Sequence, residues 1–159
     1  NVLSQELRLS CSHYTPMDAD SIPTGEIRDV TETAFDFRQM KAIGRDINCA
    51  DTQIELANGG YDHNFCIDPD TQGAFATAYD PESGRVMEVT TDMPGVQLYT
   101  GNFLNNIPGK GGTLMNKHAG FCLETQFYPD SPNRPNFPPC IFKAGETFRS
   151  RTSFKFSVK

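Results

Sequence analysis

Apolar and polar residues alternate in several short stretches of this chain, and a period of two marks a strand that buries one face. Across residues 6–11 the pattern sets Leu7, Leu9 and Cys11 on one side, and Thr15-Pro16-Met17-Asp18 then breaks it with a turn signal. A second punctuated stretch, Ile22-Pro23-Thr24-Gly25-Glu26, precedes residues 33–38, where Ala34, Phe35 and Phe37 predict a further short extended segment. Residues 40–47 are expected to form a turn or two of helix. The clearest hairpin joins 74–79 to 85–91 across Asp80-Pro81-Glu82-Ser83-Gly84, because Pro and Gly occupy a short loop between two strand-like runs.

Residues 96–99 and 120–127 read as further strands. Residues 105–116, with Pro108, Gly109, Gly111 and Gly112, read as an exposed loop. A long irregular connection follows over 128–139, dense in Pro and Asn, and loops of that length are more often functional than decorative. After a tight turn at Ala144-Gly145-Glu146, Thr152, Phe154, Phe156 and Val158 alternate with polar residues, which predicts a half-buried antiparallel strand. Many short strands, Gly/Pro turns and almost no helical periodicity predict an all-β fold, a sandwich or barrel-like architecture. No internal repeat or low-complexity tract interrupts it.

A length of 159 residues suits one ordinary domain, and 37% hydrophobic residues with twelve Phe belong to a folded chain rather than a disordered one. The formal charge of -6, with fourteen Lys and Arg that form no stripe, excludes phosphate-backbone binding as the working mode, so no nucleic acid is expected. No apolar run approaches the roughly 20 residues that cross a bilayer, and no basic n-region leads into an apolar stretch, so no membrane partner is expected. The first residue is Asn1 rather than Met, which suggests a processed product, a fragment or one piece of a longer polypeptide. Five cysteines, Cys11, Cys49, Cys66, Cys122 and Cys140, are widely spaced and lack any C-x-x-C pair, so they read as small buried hydrophobes in a reducing compartment.

Three clusters combine acid, amide and aromatic side chains: Gly60-Tyr61-Asp62-His63-Asn64-Phe65, residues 93–102 around Gln97, and Gly120-Phe121-Cys122-Leu123-Glu124-Thr125-Gln126. A pyranose presents hydroxyls that donate and accept, so Asp, Asn and Gln are fitting partners, and aromatic rings cover its C–H faces. Alternation places Cys122, Glu124 and Gln126 on one side of a strand, which predicts a partly buried Glu124 carboxyl. Taken alone, each candidate also has a plain reading: Glu124 as a structural or surface carboxylate, Asp62 as a turn-capping acid beside Gly60, Gln97 as a structural amide. His13, His63 and His118 share no metal-ligand spacing, and no Gly-x-Ser-x-Gly elbow or protease-type cysteine supports a covalent mechanism.

Read in order, Gly-Tyr-Asp-His-Asn-Phe at 60–65, Pro-Gly-Val-Gln-Leu-Tyr-Thr-Gly-Asn-Phe-Leu at 94–104 and Gly-Phe-Cys-Leu-Glu-Thr-Gln at 120–126 resemble the galactose mutarotase (aldose 1-epimerase) family. Tyr128-Pro129-Asp130-Ser131-Pro132-Asn133, Ile22-Pro23-Thr24-Gly25-Glu26, Phe137-Pro138-Pro139 and the Gly145-Glu146 turn extend the similarity over essentially the whole chain. The resemblance implies a large antiparallel β-sandwich with a shallow open sugar cleft. It sets Glu124 at the family's general base and Asp62 and Gln97 at its sugar-contacting acid and amide. In the implied reaction the glutamate takes the anomeric proton while a histidine protonates the ring oxygen; no metal or other cofactor is needed.

The family's acid histidine, and its other histidine and arginine contacts, belong to motifs ahead of anything present here, and His13, His63 and His118 do not match them. Residues 1–159 therefore resemble the carboxy-terminal portion of a single aldose 1-epimerase domain. A half-sandwich leaves apolar sheet surface uncovered, which predicts a companion polypeptide carrying the amino-terminal half, whether a nicked second chain or a separate product. The expected function is interconversion of the α and β anomers of galactose and glucose. The alternatives are a non-catalytic carbohydrate-binding or regulatory protein on the same fold, and a module for phosphorylated hexoses, which the few basic residues near the clusters disfavour. The cysteine pattern points to the cytoplasm, while the non-Met start permits secretion.

Overall fold

The alternation at the start of the chain becomes strand β1 (Glu6–Leu9), with Leu7 and Leu9 wholly buried, in a computed structural model that describes all residues from Asn1 to Lys159. Eleven more strands follow: β2 (His13–Thr15), β3 (Arg28–Asp29), β4 (Lys41–Ala42), β5 (Asp62–Cys66), β6 (Ala76–Tyr79), β7 (Arg85–Thr91), β8 (Gly95–Tyr99), β9 (Ile107–Pro108), β10 (Leu114–Met115), β11 (Cys122–Gln126) and β12 (Thr152–Val158). They build two five-stranded sheets, ordered β12-β7-β6-β1-β4 and β11-β8-β5-β2-β3, and a β9–β10 ribbon within the exposed 105–116 loop. All pairings are antiparallel. The all-β sandwich expected from the sequence is thus the fold, and the hairpin across residues 80–84 is the β6–β7 pair. No helix is long and apolar enough to cross a membrane.

One apolar layer lies between the sheets. Leu7, Leu9, Ala76, Ala78 and Val89 face it from one side, and Tyr14, Phe65, Val96 and Leu98 from the other. Phe35 and Phe37 complete it from a loop: the segment 33–38 expected to be extended forms turns, and its rings plug the end of the core, with Phe35 stacked on Tyr14 at 4.1 Å. The Phe37 carbonyl accepts the Leu9 N–H, which fixes the loop against β1.

The helical turn expected at 40–47 is replaced by β4 and turns. Pairing of Lys41 with Leu7 and of Ala42 with Glu6 captures this backbone for the sheet. The buried Lys41 ammonium donates to the Ala34 carbonyl at 2.7 Å and the Asp46 carboxylate at 2.6 Å, beneath the Phe37 ring. The single α-helix, α1 (Thr52–Leu56), comes later; Asp51 caps it by accepting the Gln53 N–H, as helix starts prefer.

Two further expectations change. Cys11 and Cys66 are buried, but Cys49 and Cys122 are exposed and all five thiols are free. β12 pairs with β7 as predicted but is not half-buried: Phe154 is 49% exposed, Phe156 73% and Val158 73%. The opposing sheet ends at β11 and leaves these side chains uncovered. The long 128–139 connection is anchored on residues 22–26, where Arg134 donates to the Pro23 carbonyl and Asn136 to that of Gly25.

Candidate functional site

In the second sheet, β5, β8 and β11 lie side by side, and their register decides which side chains meet. Directly opposed residues form three rows: Asp62, Tyr99 and Cys122; then Asn64, Gln97 and Glu124; then Cys66, Gly95 and Gln126. Opposed residues share a face, and Phe65, Val96 and Leu98 between them point into the core, so the rows look away from it. Asp62, Gln97 and Glu124, far apart in sequence, thus come together on one polar surface.

Their side chains are partly linked. Gln97 Nε2 donates to Asp62 Oδ1 at 2.9 Å, and Gln126 Nε2 donates to Gln97 Oε1 at 3.3 Å. These two bonds fix the orientation of the Gln97 amide and leave Asp62 Oδ2 able to accept from a ligand hydroxyl. Glu124 is exposed rather than partly buried, because β11 is the last strand of its sheet and nothing covers it. It belongs to none of the six ion pairs of the protein. The Cys122 thiol beside it is pushed up by desolvation, then by the Glu124 and Asp62 charges. Tyr99 and the exposed Phe103 stack at 6.4 Å and put aromatic surface at the Asp62 end.

Asn64 was not singled out from the sequence, yet it occupies the Gln97–Glu124 row, and neither atom of its buried amide has a hydrogen-bond partner. It sits against Gly95 under the Tyr128 ring: a Cβ at residue 95 would lie 2.5 Å from Asn64 Oδ1 and 2.8 Å from Tyr128. The two-residue spacing from Asp62 was the available signal; the cross-strand register was not.

Residues 1–155 match the aldose 1-epimerase family model. The chain belongs to that family. Bovine galactose mutarotase is 44% identical over 160 residues, which are 99% of this chain and 45% of the bovine protein. The aldose 1-epimerase of Escherichia coli is 32% identical, with 98% of this chain and 46% of its own length covered. A solved aldose epimerase homologue from C. elegans superposes with a TM-score of 0.88 at 27% identity, over 99% of this chain and 47% of that one. The galactose 1-epimerase of Lactobacillus acidophilus gives a TM-score of 0.77 at 27% identity, over 99% of this chain and 45% of its own. The chain spans about half the length of the relatives it matches.

In this chain, buried polar side chains hold the start of β5. Thr100 Oγ1 accepts the Tyr61 N–H at 2.9 Å, and Asn102 Nδ2 donates to the Tyr61 carbonyl at 2.8 Å. Gly60 leaves room for this clamp, since a Cβ there would stand 1.9 Å from Asn102 Oδ1. On the other side, β2 pairs with β5 only from Asn64 onward. The Asp62 N–H is taken instead by His63 Nδ1 at 3.2 Å, which places the imidazole proton on Nε2, facing Gln53 Oε1 at 3.1 Å. Gln53 also bonds both backbone groups of Met17. His63 is therefore a core residue behind Asp62: burial pushes its pKa down to about 3, so it stays neutral.

Proposed function

We propose that this chain is the carboxy-terminal portion of a single aldose 1-epimerase domain and supplies the basic half of its active site for the α and β anomers of galactose and glucose. The supporting observation is the register that sets Asp62, Gln97 and Glu124 on one outward face, with Gln97 bonded to Asp62. Strand spacing and rise put the Cα atoms of Glu124 and Asp62 about 10–12 Å apart, enough for one pyranose between them. Asp62 and Gln97 hold sugar hydroxyls at one end, and the Glu124 carboxylate reaches the anomeric hydroxyl at the other.

The chemistry is proton transfer alone. Glu124 takes the proton of the C1 hydroxyl, the C1–O5 bond breaks as its electron pair leaves with O5, and an acid delivers a proton to O5. Rotation about C1–C2 and the reverse sequence close the ring from the other face. His63 is buried and neutral behind the face, and His118 is buried with Nδ1 bonded to the Thr100 carbonyl. His13 lies on β2 opposite Cys66, three strands away from Glu124, and the family resemblance implies an acid histidine in motifs ahead of this chain, so the acid is assigned to a companion polypeptide carrying the amino-terminal half. The three rows contain carboxylates, amides, an aromatic and thiols but no Lys or Arg, which favours a free hexose over a phosphorylated one. Free thiols suit a cytoplasmic setting.

The test is polarimetry of freshly dissolved α-D-galactose with the chain and its companion together. Glu124→Gln should lower the exchange rate about 10²–10⁴-fold, the usual worth of a positioned base, while sugar affinity stays nearly constant. Unchanged turnover would remove Glu124 from the reaction, and sugar binding without acceleration in the unsubstituted protein would establish a carbohydrate-binding module instead.

A further inference from the structure

Strands β8 and β11 pair with each other, but residues 100–121, with the β9–β10 ribbon, lie between them in the chain. So long a connection does not fix strand register as a tight turn does, and β11 has a partner strand on one side only. Register decides the candidate site, because a slip of one residue turns Glu124 to the opposite face of the sheet, away from Gln97. At the neck of the connection the His118 N–H donates to the Gly101 carbonyl at 3.1 Å, and the imidazole Nδ1 stands 2.8 Å from the Thr100 carbonyl. A carbonyl only accepts, so Nδ1 carries the proton. Gly101 lets the two sides of the neck close, since a Cβ on it would lie 2.8 Å from the Gly120 carbonyl oxygen.

His118 is buried and its φ is 63°, in the left-handed region that few non-glycine residues adopt. Strain of this kind persists where contacts over-determine the conformation, and it gathers at functional sites. The contact that matters here is with Thr100, which is wholly buried and serves both ends of the proposed cleft. Its N–H donates to the Tyr61 carbonyl at 3.0 Å, and its Oγ1 accepts the Tyr61 N–H at 2.9 Å and donates to Asn102 Oδ1 at 2.6 Å. Tyr61 leads directly into Asp62. The Thr100 carbonyl, through His118, holds the residues that lead into β11 and Glu124. One residue is thus bonded to the entries of two strands, one carrying the proposed sugar-contacting acid and the other the proposed base.

We infer that His118 is a positioning residue for the reaction: its imidazole bond to the Thr100 carbonyl locks the register of β11 against β8 and so sets Glu124 at its distance from Asp62. This rests on the reading of Glu124 as the base. His118 acts through the Thr100 carbonyl and the strand that follows it, and it is not the acid of the reaction. An apolar side chain of similar size would fill the same space, but it would leave the Thr100 carbonyl without this donor. The role therefore belongs to the N–H and not to the bulk of the ring.

Two substitutions separate the side chain from the backbone. His118→Gly keeps the positive φ without strain and removes only the imidazole, whereas His118→Asn tolerates the same φ and carries an amide N–H close to where Nδ1 stands. Polarimetry of α-D-galactose with the chain and its companion should show kcat lowered about ten- to a hundredfold by His118→Gly, the usual effect of a base displaced by about an ångström. KM should hold, because Asp62 and Gln97 still bind sugar, and His118→Asn should recover most of the rate. In the same samples the β11 amides should exchange about tenfold faster in His118→Gly, while those of β5 are unchanged. A Gly variant that melts lower yet turns over at the unsubstituted rate well below its melting temperature would make His118 a packing residue and overturn the inference. A folded Asn variant that is slowed about tenfold or more would overturn it too, even if His118→Gly does not fold. Glu124→Gln, measured alongside, keeps the two ideas apart: if it leaves the rate unchanged the base reading falls, and β11 exchange alone then decides the role of His118. If Glu124→Gln is inactive and His118→Gly leaves β11 exchange unchanged, the base stands and the His118 assignment falls.

Discussion

Burial holds the His63 imidazole neutral, with its pKa near 3, whereas an unfolded chain returns it to about 6.5. Between those values the unfolded chain binds a proton that the folded chain refuses, so folding stability rises with pH across the window and is lost as pH falls from about 6.5 toward 3. Above the window neither state is charged at this position and the effect is flat. Urea unfolding of His63→Gln should therefore show a shallower fall in stability between about pH 6 and pH 4 than the unsubstituted chain, because the carboxylates titrate alike in both. Parallel curves would exclude His63 as the source. At this scale the sequence yielded the residue types of the candidate site, Asp62, Gln97 and Glu124, but not their surroundings. It suggested a partly buried Glu124 from alternation, and alternation names a face without saying what covers it.

Gly95 shows how an element depends on one absent side chain. A Cβ at this position meets Asn64 Oδ1 and the Tyr128 ring at distances no packed structure keeps, so Gly95→Ala must displace both the buried Asn64 amide and the Tyr128 ring. Overpacking of this kind costs about 1–3 kcal/mol, and denaturant titration should read a loss of that size; a loss below about 0.5 kcal/mol would mean that Tyr128 moves aside freely. Elements with strong local signals were legible: β1, the β6–β7 hairpin with its Pro/Gly loop, β8 and β11. Those decided by distant partners were not. Residues 40–47 carry a weak helical pattern that pairing with β1 overrides, and α1 is only five residues long, too short for its periodicity to stand out.

Across the whole molecule, contacts thin from the central strands to the β11–β12 edge, and local opening should follow the same gradient. Amide exchange in the isolated chain is expected to be slowest in β5 and β8, which have paired neighbours on both sides, and fastest in β9, β10 and β12; β12 as slow as β5 would contradict the open-edge description. The sequence by itself determined the all-β class, the positions of β1, β6, β7, β8, β11 and β12 and the chemistry available to the candidate site, because alternation, turn residues and side-chain type are local properties. Only the tertiary structure decided that Asp62, Gln97 and Glu124 share a face, that Asn64 is buried among them without a partner, and that Phe154 and Phe156 stand exposed. Each of those facts depends on strand register and sheet order, and both are set by packing between residues far apart along the chain.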